Sequence, residues 1–481
     1  MNPLKPTDGG PGQHSPFLPL VLATLAAAIV LILLGSFLKP ARKKPPETAS
    51  SAGPGVSATA PATHSSSSAR GTLSRGPTAP DSAQTAQEIV AAKVIKFGKL
   101  RRELVHSIAK HSNVQVPDDV ERFFEAVEGG RWEEVDAAHQ ALLLNGKELN
   151  QPRSAELHEI WRPIQETWGA AREAHNWPPQ TLLDYGNAIL NSLRPGMIYA
   201  GGTDPGCFIP TMLNDTSDGE RHIVLTQNAL ADGTYLKYLD FLYGDRMATL
   251  TDEDSQHAFQ EYLQDAQKRL QHDQQNPNEP KQLKLGEDVK MSENRVQVGG
   301  QVAVMSINEK LFQKLMAKNP DASFAMEESF PFASMYATTT TLGPVMEMGV
   351  HDEQSGLTAQ RAAEAVDYWR TTAQQLLTDP DIAPDSDARK AYSKLVSSQA
   401  GLLADQKFTA EAEQEFRVAL ELCPASPEAV FRYVNLLTVQ NRASDALPLV
   451  EAALKAAPDN KQFLGLLDSL KAVKHTPAAA N

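Results

Sequence analysis

At 481 residues the chain exceeds one ordinary domain, so two or three folded parts joined by linkers are expected. Residues before about 89 are slightly basic, so the remainder carries more than the whole net charge of −14, and an acidic body repels phosphate backbones, which argues against a nucleic-acid partner. The two cysteines, Cys207 and Cys423, supply neither a disulfide framework nor a thiolate metal site, and they leave the redox compartment unread.

Residues 1–16 form a short polar tail. FLPLVLATLAAAIVLILLGSFL (Phe17 to Leu38) then carries no charge over 22 positions. That is enough for a helix to cross a hydrocarbon core of roughly 30 Å, so a single-pass anchor in the lipid bilayer is expected. A cleaved signal peptide fits less well, because the apolar run is long and no A-x-A site precedes the charges. Lys39, Arg42, Lys43 and Lys44 follow the span, and the positive-inside rule would place the large C-terminal part in the cytoplasm. The composition of residues 39–85, rich in Pro, Ser and Ala, instead suits a tether on an outer face. The side of the membrane stays open. The linker holds too few large apolar residues to offset its ordering entropy, and disorder is expected there.

Residues 86–195 read as helical. AQEIVAAKVIKFGKLRREL has apolar positions at helical spacing, and VPDDVERFFEAVEGGRWEEVDAAHQALLL reads as a hairpin broken at Gly129-Gly130. His106 and His111 do not form an H-E-x-x-H frame, so no zinc helix is expected.

From 196 to 350 the periodicity changes. MIYAGG, RHIVLTQ, QVAVMSI, SFAMEES and ASMYATT read as strands, separated by helical stretches, and this alternation predicts an α/β domain with a mostly parallel sheet. HDQQNPNEPKQLKLGEDVKMSEN reads as a polar excursion. GGTDPG, after the first strand, is a strand-to-helix turn. It has neither the Lys-Ser/Thr of a phosphate loop nor a G-x-G-x-x-G pattern. Its glycines are expected to serve backbone shape, with Gly202 at positive φ.

Ligands of open α/β sheets collect at the carboxyl ends of strands. Asp204, Gln227, Asn228, Asp232, Glu327 and Glu328 stand at such ends. They admit two readings. As a site they would take a sugar, an amine or a divalent cation. As structure, Asp204 closes a turn, Asp232 or Thr234 caps a helix, and the glutamates are solvated. No catalytic residue, metal ligand or cofactor is assigned.

Residues 356–474 carry the most specific pattern. Pro424 and Pro458 are 34 residues apart, the tetratricopeptide period. Ala400, Ala412, Phe416 and Ala419 occupy the small and apolar positions of one repeat, about 393–426. Val434, Ala446, Val450 and Ala453 occupy those of the next, about 427–460. KQFLGLLDSLKAVKH supplies a capping helix before the tail at 475–481. The groove of such an array binds a protein or peptide, and here it would be lined by Glu428, Phe431, Asn435 and Thr438, with no basic clamp. The expected activity is a membrane-tethered interaction or scaffold protein; the alternative is a small-ligand or enzymatic α/β domain.

GMIYAGGTDPGCFIPTML, VLTQNALADGTYLKYL, LKLGEDVK and FAMEESFPFASMY resemble segments of a family of bacterial membrane-anchored tetratricopeptide-repeat proteins, over roughly residues 120 to 460. That resemblance implies the architecture but brings no assigned activity. A fainter likeness is to the soluble region of bacterial membrane glycosyltransferase-like proteins. This chain departs from them in lacking their many spans and a catalytic acid in a membrane loop.

Overall fold

The computed structural model describes residues 84–144, 154–202, 204–283, 287–292, 295–328, 330–351 and 356–474. The expected span at 17–38, all but the last two linker residues and the tail at 475–481 lie outside these. Among the described residues no helix is long and apolar enough to cross a membrane.

The first described helix is α1 (Ala86–His111), started by a capping box in which Thr85 and Glu88 satisfy each other's backbone N–H groups. Helices α2 (Asp118–Glu128) and α3 (Trp132–Leu144) pack as a hairpin, with Gly130 at φ +65° between them. Helices α4 (Ala155–Glu159), α5 (Trp161–Asn176) and α6 (Pro179–Ser192) complete the N-terminal helical layer.

The chain then alternates: β1 (Ile198–Gly201), α7 (Pro205–Asp215), β2 (Ile223–Thr226), α8 (Gly233–Tyr243), α9 (Asp252–Gln275), a hairpin of β3 (Asp288–Ser292) and β4 (Arg295–Gly299), α10 (Gly300–Lys318), β5 (Phe324–Met326), β6 (Thr339–Leu342) and β7 (Val345–Met348). The central sheet has the order β2-β1-β5-β7-β6. Strand β1 pairs in parallel with β2 and β5, while β5–β7 and β7–β6 are antiparallel. The sheet is therefore small and mixed, not mostly parallel, and the molecule as a whole is mostly helical.

Three expected elements differ. QVAVMSI is not a strand. It opens α10, where Ala303, Val304, Ile307, Leu311 and Leu315 are buried at helical spacing. A short apolar run does not distinguish the two states, and here the helix-forming EKLFQKLMAK that follows decides it. ASMYATT is a 3-10 turn over Ala333–Thr338, with the strand starting only at Thr339. Within the polar excursion, Val289 pairs with Val298, and alternate residues of the β3–β4 hairpin pack on a core.

Both faces of the central sheet are covered. Ile198, Ala200, Ile223, Leu225, Phe324 and Met326 join one core, with α1 to α5 and α8 to α10. The intervening Tyr199, Val224 and Ala325 join another, with α6, α7 and the C-terminal helices. This is the period-two alternation of a strand buried on both sides.

The C-terminal helices are α11 (Ala359–Thr378), α12 (Asp387–Asp405), α13 (Thr409–Leu422), α14 (Pro427–Val439), α15 (Ala443–Ala456) and α16 (Lys461–Lys474). A third core joins α12 to α16 through Ala400, Ala412, Phe416, Val434, Ala446, Val450 and Ala453. The second core takes in residues from both sides of the expected boundary: Trp369, Tyr392, Leu395 and Val396 lie in it together with Tyr199 and Ala325. Helices α11 and α12 are thus part of the layer that covers the sheet.

Candidate functional site

Because β2, β1 and β5 are neighbours and parallel, their carboxyl ends gather at one rim. The loop after β1 is tight. A Cβ on Gly201 would lie 2.5 Å from the carbonyl oxygen of Gly206, and one on Gly206 would lie 1.7 Å from the Glu327 carboxylate. Close approach governs these glycines. Positive φ at glycine occurs instead at Gly196, before β1 (φ +75°), so the expected reason for the loop's glycines is replaced by a steric one.

Asp204 caps α7, accepting from the N–H of Gly206 at 3.1 Å. The Tyr199 hydroxyl donates to the Gly206 carbonyl at 2.6 Å. Glu327, at the end of β5, accepts from the Gly202 N–H at 3.2 Å. Between the two carboxylates comes Lys394 of α12, whose ammonium bonds Glu327 at 2.9 Å and also pairs with Asp204. Burial by itself would depress the Lys394 ammonium, but Asp204 and Glu327 raise it above the ordinary lysine range. It is held protonated. Burial, then the charge of Asp204, push the Glu327 carboxyl up, while Lys394 pulls it back.

The next residue faces another cation. Glu328 accepts from the Tyr336 hydroxyl at 2.7 Å and from Arg432 of α14 at 3.1 Å. Its carbonyl accepts from Ser398 at 3.2 Å. Gln406 donates to the carbonyls of Tyr336 and Thr339, each at 2.7 Å. Gln399 donates to those of Gly343 at 2.7 Å and Val345 at 2.9 Å. Side chains of α12 and α14 therefore hold the chain's own 327–345 segment by its backbone carbonyls and its two acids.

The remaining sequence-predicted residues are placed otherwise. Gln227 donates to the Phe330 carbonyl at 3.1 Å. Asn228 is half-buried in the 3-10 turn after β2. Asp232 caps α8 through the N–H (2.9 Å) and hydroxyl (2.7 Å) of Thr234. The structure thus joins Asp204 and Glu327 on one lysine, gives Glu328 a separate arginine, and leaves Asp232 in a local cap. The two glutamates are not solvated: both are buried. Among the described residues no group of His, Cys, Asp or Glu is arranged to hold a metal ion. Cys207 lies 3.3 Å from the Thr226 hydroxyl, and burial pushes its thiol up to about 11, against the pull of Arg162. It is a thiol at neutral pH.

On α14, Phe431, Asn435 and Thr438 are exposed and Glu428 is half-buried. The Phe431 ring sits 5.9 Å from that of Phe463 on α16. Val439 near the end of α14 and Leu464 on α16, beside Phe463, are also exposed, by 75% and 44%. Outside the expected groove set, Lys394 of α12 and Arg432 of α14 hold acids of this chain, Glu327 and Glu328. Lys394, Ser397 and Gly401 stand 34 residues before Glu428, Phe431 and Asn435. Sequence reading missed Lys394 because its partners are 67 and 190 residues away. The repeat period would have pointed to it.

Comparison with protein-family models, curated proteins and solved structures finds no match to this chain.

Proposed function

We propose that the chain is a membrane-tethered interaction protein, anchored through residues 17–38, whose C-terminal helices form a tetratricopeptide-like array. The period of Pro424 and Pro458 and the buried small residues at matching positions support that array. One observation carries the functional reading. The two repeats differ in occupancy: on α12 Lys394 is engaged by the chain's own Glu327 and Asp204, whereas on α14 Phe431, Asn435 and Thr438 are exposed. The occupant we infer for the open face is a peptide or helix of a protein partner with apolar anchors, because Phe431 and Val439 are exposed on α14 and Leu464 on α16, whose Phe463 touches Phe431. The sequence resemblance to bacterial membrane-anchored repeat proteins fits this reading.

A photocrosslinking residue placed at Asn435 in full-length, detergent-solubilised protein tests it. A discrete adduct that disappears in Phe431→Glu/Leu464→Glu is the expected result. Adducts that persist unchanged in that variant would refute the reading.

A second reading, a small polar ligand at the sheet rim, is favoured by Tyr185. Its hydroxyl is buried without a hydrogen-bond partner and feels the charges of Glu327 and Asp204. Sugars and amines screened by thermal shift, with Tyr185→Phe and Asp204→Asn as controls, decide this reading. A shift seen in wild type and lost in both variants would support it. No shift in wild type, or an equal shift in the variants, would remove it.

A further inference from the structure

Glu415 stands apart from every ion pair described above. It lies in the middle of α13, fully buried, and both carboxylate oxygens lack a hydrogen-bond partner. Its neighbours on the helix locate it. Ala419, one turn on, accepts from Ser393 of α12 at 2.8 Å through its carbonyl. Val418 lines a shallow groove of about 330 Å³ with Ala373 and Leu377 of α11. The carboxyl therefore sits on the face where α13 meets α11 and α12.

The helices packed against α13 are α11, α12 and α14, and their cations have partners other than Glu415, although the Arg389 Nε is itself buried without a hydrogen-bond partner. On α11, Arg361 reaches Thr340 and Arg370 pairs with Asp367. On α12, Arg389 donates to the carbonyls of Leu376 and Ile382, Lys390 pairs with Asp387, and Lys394 holds Asp204 and Glu327. On α14, Arg432 holds Glu328 and Tyr433 donates to Glu413. Glu413, on α13 itself, is paired with Arg417 and Arg442.

An isolated carboxylate in such a place is costly, and such a group neutralises instead. We propose that Glu415 is a proton-dependent latch: its neutral carboxyl lets α13 close on α11 and α12, and its ionisation loosens the helical layer that joins the sheet to the repeats. Burial raises the Glu415 carboxyl well above the ordinary carboxylate range. The sign follows. The closed state binds the proton more tightly than the open state, so closure is firmest at acidic pH and weakens as pH rises from the ordinary carboxylate range to the group's own raised value. One proton is released on opening, so the opening equilibrium rises by up to about tenfold per pH unit across that window.

Hydrogen exchange of α11 and α13 in the full-length protein, corrected for intrinsic rates, reads this between pH 5 and pH 9. In wild type, opening should increase with pH by up to about tenfold per unit over part of the range. Glu415→Gln and Glu415→Met should both show a flat profile. A flat wild-type profile, or variants with the wild-type slope, overturns the latch. So does failure of both variants to fold at neutral pH, since that would mean the ionised carboxylate is needed.

Discussion

The two repeat units share a frame and differ in surface. Ala412 and Ala446 are both fully buried where helices cross, and Phe416 and Val450 occupy equivalent places in one core. The first unit nevertheless belongs to the body of the protein. Its α12 lies in the core beneath the sheet and, with Gln406 just past its end, sends Lys394, Ser398 and Gln399 to the 327–345 segment. The second unit sends Arg432 to Glu328 but leaves Phe431, Asn435 and Thr438 exposed. Identical packing rules thus yield a structural clamp in one repeat and an open face in the next. The difference rests on the residues at the groove positions: Lys394, Ser397 and Gly401 in one, Glu428, Phe431 and Asn435 in the other.

The sharpest way to break this comparison is at Lys394. Lys394→Met leaves two carboxylates at the sheet rim without their shared cation, and such a loss costs about 3–5 kcal/mol. Denaturant unfolding of the detergent-solubilised protein should show it; a loss below about 1 kcal/mol, within the range of an exposed pair, would mean the clamp is ornamental. Gly206→Ala comes next. Its Cβ would collide with the Glu327 carboxylate, and a loss of about 1–3 kcal/mol is expected for overpacking.

Ala412→Leu and Ala446→Leu add the same bulk to the two units, each for about 1–3 kcal/mol. Their reach should differ. Ala412→Leu should lower protection across α11 to α13 and the sheet, whereas Ala446→Leu should affect α14 to α16 alone; equal spread in hydrogen exchange would erase the distinction between the units. Smallest of all is Asn435→Ala on the open face. It should change stability by no more than about 0.5 kcal/mol. A larger loss would show that this face is structural too.

The parts of this fold visible in the sequence are those enforced locally. The 34-residue spacing of Pro424 and Pro458 is visible because each repeat must place small residues where its helices touch. The turn after β1 is visible because Asp204 caps the helix that follows it. The triad itself was out of reach, since Lys394 meets Glu327 and Asp204 only after three segments of chain converge. The β3–β4 hairpin was masked by the charge around Val289, Val296 and Val298, although the alternation is present. QVAVMSI was misread because β-rich composition over seven residues carries less information than the helix it continues into. Glu415 left no sign, because a glutamate in an amphipathic helix reads as a solvent-facing residue until its neighbours are known.

The placement of α1 has a mechanical consequence. The chain enters the described body at Thr85, and the helix that begins there contributes Val90 and Phe97 to one core and Val105 and Ile108 to the other. Arg101, midway, is locked to Glu166 and Asp215. A pull arriving along the linker therefore loads a 26-residue helix lengthwise. To extract it, both cores must slide at once while the buried guanidinium is torn from its acids. A pull from the opposite end meets α16, which lies in the third core alone through Phe463 and Leu470, and it would peel one helix at a time. The two ends of the described body thus offer unequal resistance to force, strong in shear at α1 and weak in peeling at α16.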